Sequence, residues 1–457
     1  MKINLFCAVV TGRMVALASR LSGHGGSSLP GLVAGKIYHR CLHDLAGQVR
    51  KGIIMVTGTN GKTTTTNMIA GILEKARFKV VANYEGANMA SGVTTSFIMK
   101  AGLSGKIDCD YAIIEVDEAS VPGVMKELNP EIVVITNFFR DQLDRYWEIE
   151  KVVGVIRDAL NKYGYANLVL NADDPLVAQF GRITRLPATF YGIGRHGQST
   201  ATSTRTREAK RCPFCGAALV YDFFHYGQLG NYRCAECSFK RPEPGLVAMD
   251  ATVTDKINCR MVYNGDEAQL AIQTTGIYNL YNALAAFATG LQLGIDAAVI
   301  LSGLNRYRPV TGRMENFDYR GKPVFLILVK NPTGFNEGLS ALFFNQRKKD
   351  VFIAINDNDA DGKDVSWLWD VDFEILGNGQ QFFNSFLCTG KRGEEMAVRL
   401  KYAGVPQDKI AVDPDMPSAV KKILDGPGKQ SYFFSTYTAL RQVHGILEAL
   451  IAGGNKK

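Results

Sequence analysis

An α/β fold with largely parallel sheets is predicted by three observations on the sequence. Short runs rich in Val, Ile and Phe alternate with segments of helical period, the runs are near-continuously apolar, and a glycine turn joins one of them directly to a helix-forming stretch. The first group of runs is "GIIMVTG", "DYAIIEVD", "IVVITN" and "ANLVLNADD"; the second is "VFLILVK", "DVFIAIND" and "KIAVDPD". Strands covered on both faces need such continuous runs, and the helical segments supply the crossovers between them.

The 457 residues, 46% hydrophobic and 21% charged, are enough for two or three domains with proper cores. A net charge of +8 is compatible with phosphorylated substrates, anionic lipid surfaces or nucleic acid, and does not choose among them. No stretch reaches the roughly 18–20 apolar residues a bilayer span requires. At the start, "MKINLFCAVVTGRMVALASRLSG" carries Arg13 and Arg20 where a signal peptide needs an apolar run, so it reads as an N-terminal amphipathic helix. Between the two strand groups, "GRHGQSTATSTRTREAKR" leads into a cysteine cluster that closes near "KRPEPG", the pattern of an insertion emerging from the first α/β domain. A second boundary falls near "RYRPVTGRMENF". The expected division is 1–48 as a helical segment, 49–314 as the central domain with the insertion at 206–242, and 315–457 as a C-terminal α/β domain.

Within "MVTGTNGKTTTTN", Gly58 and Gly61 are separated only by Thr59 and Asn60, two residues fewer than in the usual phosphate-binding loop. The apolar residues before it form a strand, the glycines permit φ > 0, and "TTTTNMIAGILEKA" is a helix-forming run. Strand, turn and helix N-terminus together aim backbone N–H groups and a positive dipole end at a phosphate. A nucleotide is thus expected over Gly58, Thr59, Asn60, Gly61, Lys62, Thr63 and Thr64, with Lys62 along the β/γ-phosphates and the Thr63 hydroxyl on Mg²⁺. Lys62 is expected to touch phosphate and support no core. A plain glycine turn is the bland alternative, and Gly-Lys-Thr at a strand-to-helix junction argues against it. The next strand-end motif, "AIIEVDEAS", offers Glu115, Asp117 and Glu118; Glu115, interior to an apolar run, most needs a metal or other partner. For Asp117 and Glu118 a solvated strand end is an equal reading.

Nine cysteines, an odd number, include five scattered ones, Cys7, Cys41, Cys109, Cys259 and Cys388, which suits a reducing cytoplasm. The other four form "CPFCG" and "CAEC": Cys212, Cys215, Cys234 and Cys237, the spacing of a closed tetrahedral Zn²⁺ site. Redox dithiols would need a C-x-x-C at a helix start, and "CPFCGAALVYDFF" reads as knuckle and strand. Near the end, "INDNDADGKDVSWLWD" crowds Asp357, Asp359, Asp361, Asp364 and Asp370 after a strand, for metal binding, amine activation or mere solvation. An EF-hand is excluded by the missing glutamate at the end of the loop. Trp367 and Trp369, two apart, read as one face of a strand or a docking surface.

In order along most of the chain, "GTNGKTTT", "TNFFRDQLDRY", "LNADDP", "GIYNLYNALAA" and "PVTGRME" resemble the ATP-dependent Mur ligases, which activate a carboxylate as an acyl phosphate for attack by an amine. The shortened loop is that family's usual form. "NDNDADGKDVSWLWD", "STYTAL" and the cysteine insertion look most like its MurT branch, the synthetase subunits of lipid II isoglutaminyl synthases. The resemblance implies a Mur ligase-like fold, with a P-loop ATPase domain bearing a zinc ribbon plus a C-terminal α/β domain. It implies ATP, Mg²⁺ and Zn²⁺ as cofactors, Lys62 as the phosphate lysine, Thr63 and Glu115 on magnesium, Asn279 and Asn282 near the base, and Arg313 reaching the nucleotide from the domain boundary. At i and i+3 on a helix the two asparagines share one face, although Asn279 also reads as a helix N-cap. An aspartate of the acidic motif is essential in that branch; Asp364 is the choice, with Asp361 behind it.

Departures from the family are Gln142 where the amino-acid ligases have His, Arg157 where they keep a carbamylated Lys, and Lys330 in "LILVKNPTGFN" where an acidic residue precedes Asn-Pro. Lys330 either binds phosphate or solvates a strand end. The implied reaction converts the D-glutamate α-carboxylate of the lipid II stem peptide to D-isoglutamine for peptidoglycan synthesis, in the cytoplasm at the inner membrane face. None of the scattered cysteines sits in a glycine-flanked nucleophile turn, so ammonia is expected from a glutaminase partner resembling GatD, forming a heterodimer through the C-terminal domain with its tryptophans and "FFSTYTALRQVHGIL". Two rivals stand: a folate-polyglutamating or tripeptide-adding type of amide ligase, and a zinc-ribbon NTPase on nucleic acid, favoured only by "TSTRTREAKR".

Overall fold

The computed structural model describes residues 3–21, 28–83, 87–140, 149–202, 208–254, 256–309, 311–343 and 345–454. They form two compact units. One holds the described residues up to Phe139 and those of Glu148–Gln273 and Ile277–Tyr307; the other holds Arg140, Thr274–Gly276 and the described residues from Arg308 onward.

The first unit is built on β1 (Gly52–Thr57), β2 (Val80–Ala82), β3 (Tyr111–Glu115), β4 (Ile132–Ile135), β5 (Asn167–Asn171) and β6 (Ala188–Ile193). After β6 the chain leaves the sheet to form a separate antiparallel hairpin, β7 (Leu219–Tyr226) and β8 (Leu229–Cys234). It returns as β9 (Leu246–Val253), β10 (Ile257–Tyr263) and β11 (Asp266–Ile272), completing a nine-stranded sheet in the order β11-β10-β9-β6-β5-β4-β1-β3-β2. Strands β1 to β6 and the β6–β9 pair run parallel, while β9, β10 and β11 are antiparallel. The parallel strands β1, β3 and β4 are buried throughout, as the continuous apolar runs predict. Strand β10 alternates buried and half-buried positions, the mark of a sheet region with one wetter face.

Register brings the chemistry to one edge. Val56 pairs with Glu115, Thr57 with Ile135 and Ile135 with Leu170, so the loops after β1, β3, β4 and β5 all leave from the carboxyl ends of neighbouring strands. In open parallel sheets that edge is where ligands bind.

The N-terminal helix spans Ile3–Leu21. Leu5, Ala8, Val9 and Ala16 are buried, and Arg13 donates to the carbonyls of Ile98 and Met99. Its outward face is apolar as well, with Ile3, Met14, Leu17 and Leu21 exposed. Among the described residues no helix is long and apolar enough to cross a membrane.

The second unit carries β12 (Arg313–Tyr319), β13 (Lys322–Leu328), β14 (Lys349–Ala354), β15 (Phe383–Thr389), β16 (Ile410–Val412) and β17 (Gln430–Ser435), ordered β12-β13-β17-β14-β15-β16. Only the β12–β13 pair is antiparallel. The strand reading of the tryptophans needs correction: Ser366–Asp370 is a turn of 3-10 helix. Its tighter pitch sends Trp367 inward toward Phe335 and leaves Trp369 57% exposed, where Arg399 lies over its ring.

Candidate nucleotide site and cysteine cluster

The loop between β1 and the helix Lys62–Lys75 has the backbone the glycines permit, with Gly58 at φ 121° and Gly61 at φ 86°. Space demands glycine too. A Cβ on Gly58 would collide with Thr136 Oγ1, and one on Gly61 with Asn282 Oδ1. The segment after β4, Thr136–Phe139, holds the loop from the side. Thr59 N–H donates to Asn137 O at 2.8 Å, Asn60 N–H to Asn137 Oδ1 at 2.9 Å, and Thr136 Oγ1 to Asn60 O at 2.8 Å. Thr59 is buried, and Phe139 N–H donates to its Oγ1 at 3.1 Å.

Lys62 is buried; its Nζ donates to Gly58 O at 2.5 Å and pairs with Glu118 Oε2 at 3.0 Å. The expectation that Lys62 supports no core is thus corrected, because it is half of a buried ion pair. Burial works against the Lys62 ammonium, but Glu118, Asp117 and Glu115 outweigh it and hold the group above the ordinary lysine range. Three carboxylates around one ammonium leave an excess of negative charge that suits a divalent cation.

Glu115 ends β3 and is buried; its Oε2 has no hydrogen-bond partner among the described residues. Asn83 fixes the Glu115 backbone on both sides, accepting from its N–H at 2.7 Å and donating to its carbonyl at 2.8 Å. A buried carboxylate oxygen without a donor is costly unless a ligand meets it, and a hard cation such as Mg²⁺ takes oxygen ligands of this kind. Thr63 and Thr64, both buried, open the helix beside it.

Asn279 and Asn282 lie on the helix Ile277–Gln292, both buried. Asn279 is the third residue of that helix, so the N-cap alternative is set aside. Asn282 Nδ2 donates to Asn279 Oδ1 at 3.3 Å, and Asn282 Oδ1 accepts from Thr65 Oγ1 at 3.3 Å. Asn282, tied to Asn279, abuts the second glycine of the loop.

Arg157 is on the helix Ile149–Tyr163, exposed and paired with Asp158. Gln142 lies outside the described residues. In the second unit, Arg313 opens β12 and is half-buried, and Lys330 sits half-buried just before Asn331, whose side chain caps the helix Pro332–Ala341. Asp361 is buried, and both its oxygens accept from Thr438, one from the backbone N–H at 2.7 Å and the other from Oγ1. Asp364 is half-buried and accepts from Ser366 N–H at 2.7 Å. Hydrogen bonding from Ser366 keeps its carboxyl below the usual range, hence ionised at neutral pH. Asp357 pairs with Arg392, Asp359 with Lys363, and Asp370 is exposed.

The four ribbon cysteines converge. Cys212, Cys215, Cys234 and Cys237 have all four Sγ atoms within 4.8 Å of one another, with Cys212–Cys237 at 3.6 Å and Cys215–Cys234 at 3.4 Å. Tetrahedral zinc with Zn–S near 2.3 Å separates its sulfurs by about 3.8 Å, so the donor set fits a four-thiolate ion. Backbone donation from Glu236 N–H brings the Cys234 thiol down to about 6, while its hydrogen-bonded neighbour Cys215 is pushed up to about 12, so the pair shares a proton that a metal would displace. Replacing Cys212 with serine is expected to lower zinc content and melting temperature together, since a structural ion contributes its binding free energy to folding. Full zinc occupancy by elemental analysis with an unchanged melt would dismiss the four-cysteine site.

Several residues of this region escape sequence reasoning. The sequence offers Glu118 to a metal or to solvent but does not pair it with Lys62, and Asn83, Thr136 and Asn137 carry no local signal of their roles. Asp173 and Asp174 stand in the quoted "LNADDP" without an assigned function. Both are fully buried, and burial pushes the Asp174 carboxyl up to about 7 although Phe138 and Leu176 N–H groups donate to it.

Against known families, residues 56–290 match the Mur ligase middle domain and residues 328–440 the MurT ligase C-terminal domain. The chain is 38% identical over 447 residues to the lipid II isoglutaminyl synthase (glutamine-hydrolyzing) subunit MurT of Staphylococcus aureus strain COL, covering 98% of each chain. It is 35% identical to the protein of the same name from Streptococcus pneumoniae, covering 92% of each. Among solved structures, a pseudomurein peptide ligase type C from Methanothermus fervidus superposes with a TM-score of 0.67 at 25% identity, over 88% of this chain and 79% of that one. MurF from Acinetobacter baumannii shares the fold at a TM-score of 0.67 and 15% identity, over 93% and 81%. With both family models matched in order and near-full-length identity above one third, the chain belongs to the Mur ligase family of ATP-dependent ligases, in its MurT branch.

Proposed function

We propose that this chain is the synthetase subunit of a lipid II isoglutaminyl synthase, amidating the D-glutamate α-carboxylate of the stem peptide to D-isoglutamine with ATP. The observation that carries the reading is the pairing of a two-glycine loop at positive φ and buried Lys62 with the orphaned Glu115 Oε2 at the carboxyl edge of one sheet. The near-full-length relatives bear the name of this activity.

A carboxylate is a poor electrophile at neutral pH, and ATP supplies the phosphoryl group that turns its oxygen into a leaving group. The acyl phosphate then loses inorganic phosphate when ammonia attacks its carbonyl carbon, and the attacking nitrogen gives up a proton. In this chain Lys62 neutralises charge on the transferring phosphoryl oxygens, while loop N–H groups at the start of Lys62–Lys75 orient it. Thr63 and Glu115 would hold Mg²⁺, and the four ribbon cysteines a structural Zn²⁺. Every cysteine outside the ribbon except Cys7 is buried, and burial pushes the Cys41, Cys109, Cys259 and Cys388 thiols up, the reverse of what a glutaminase nucleophile needs. The word "subunit" in the relatives' names supports a separate glutaminase partner, which we take to be of the GatD type, docking on the C-terminal unit. A lipid-linked substrate places the work at the cytoplasmic membrane face.

The purified chain alone is expected to amidate lipid II with added ammonium, faster as pH rises and free ammonia increases, and to show almost no activity with glutamine. Mass spectrometry of the muropeptide reads the result. Glutamine-dependent amidation by the isolated chain, or none with ammonium across the pH range, would overturn the reading.

A further inference from the structure

The turn of the β7–β8 hairpin reaches the segment that holds the phosphate loop. Gln228, fully buried in that turn, donates through Nε2 to Phe138 O at 2.6 Å. On the other side of the same residue, Phe138 N–H donates to Asp174 Oδ2 at 3.0 Å. Phe138 is thus gripped at both peptide groups, and its neighbours Asn137 and Phe139 bond Thr59 and Asn60.

The hairpin makes further contacts with this edge of the sheet. Tyr226 stacks on Phe139 with centroids 5.8 Å apart, and Gly227, at φ 53°, packs so closely on the Phe139 ring that a Cβ would stand 2.8 Å from it. Gly230 N–H donates to Asp173 O at 3.0 Å, and Tyr232 OH to Ala172 O at 3.2 Å. After the last cysteine of the ribbon, Arg241 Nε donates to Asp173 Oδ1 at 2.6 Å. Tyr281, between Asn279 and Asn282 on their helix, donates to Asp173 Oδ2 at 2.7 Å. The other end of β8 is Cys234, about 17 Å from the turn at ~3.4 Å per residue. One short hairpin therefore has the cysteine cluster at one end and the supports of the phosphate loop at the other.

We propose that this hairpin is a buttress for the nucleotide loop, with Gln228 as its positioning residue, so that order in the cysteine ribbon sets the affinity for ATP. The inference rests on the assignment of Gly58 to Thr64 as the ATP site. Gln228 touches no substrate; it acts by fixing Phe138 and, through Asn137 and Phe139, the N–H and hydroxyl of Thr59 and the N–H and carbonyl of Asn60. Loss of that support raises the cost of ordering the loop around phosphate, which weakens binding more than it slows a bound complex.

Gln228→Met keeps the volume and removes the donor. It is expected to retain full zinc, to bind ATP about tenfold more weakly, to raise KM for ATP with little change in kcat, and to speed amide hydrogen exchange at Thr59–Lys62. A purely structural role would lower the melting temperature without this split. Should the variant not fold, the unmodified chain still provides the test, because coupling is reciprocal: saturating ATP is expected to slow exchange at the Gly230 amide, in β8 just after the hairpin turn. Unchanged ATP affinity and loop exchange in a folded Gln228→Met protein, or unchanged Gly230 exchange on adding ATP, would overturn the proposal. If the unmodified chain binds no ATP at all, the nucleotide assignment itself fails, which is a distinct result.

Discussion

Replacing Lys62 with alanine is expected to abolish ATP turnover and, in the same protein, to depress the melting temperature. The first effect follows from the loss of the only cation found in the phosphate loop itself. The second follows from Glu118, which is 6% exposed and pairs with Lys62 at 3.0 Å. Removing one partner of a buried pair leaves an uncompensated charge, at a cost of about 3–5 kcal/mol. Adding Glu118→Gln to Lys62→Ala removes that charge, so the double variant is expected to regain most of the stability and none of the turnover. Thermal melts and ADP release separate the two roles. Near-normal ADP release from the folded double variant would end the nucleotide assignment.

The second large effect concerns the acidic motif of the C-terminal unit, where geometry divides two aspartates that the sequence leaves together. Asp361 spends both carboxylate oxygens on Thr438, at the start of the helix Tyr437–Gly454, and so ties its loop to that helix. Asp364 gives one oxygen to Ser366 N–H, lies half-buried and stays ionised. Asp364→Asn is expected to keep the fold, zinc and ATP binding while glutamine-dependent amidation falls by a factor on the order of 10²–10⁴ if the carboxylate acts as a base. Asp361→Asn is instead expected to lower stability first. Rescue of Asp364→Asn by ammonium would put the group on the ammonia-supply side; failure of rescue would put it in the ligation step. Glutamine-dependent activity near that of the unaltered chain would remove Asp364 from the mechanism.

What the sequence makes legible here is what is local. Gly58, Gly61 and Lys62 declare a phosphate loop because strand, turn and helix start are contiguous, and two C-x-x-C pairs declare a metal because each knuckle is four residues long. The partners of those groups are remote. Lys62 finds Glu118 56 positions away, Asn60 meets Asn137 at 77, and Phe138 meets Gln228 at 90, so only the register of β1, β3 and β4 and the return of the ribbon hairpin reveal them. Burial is also hidden from a residue list: Lys62 reads as a solvent-facing ligand group until the carboxylates around it are seen. The paired tryptophans mislead for a related reason, since spacing by two fits a strand and a tight helical turn alike.

The return of the chain from β6 to β9 has a consequence for how the sheet is assembled. These parallel neighbours pair Tyr191 with Leu246, so the whole ribbon lies inside the loop that must close before the edge strands β9 to β11 can join. An ion linking Cys212 to Cys237 roughly halves the chain to be closed, which lowers the entropic cost by only ~0.6 kcal/mol. Shortening of the loop therefore does little to help close the nine-stranded sheet, and the stabilisation from an ion in the cluster falls on the ribbon. What the cluster ties together is the ribbon itself, and two of its four thiols, Cys215 and Cys237, face solvent.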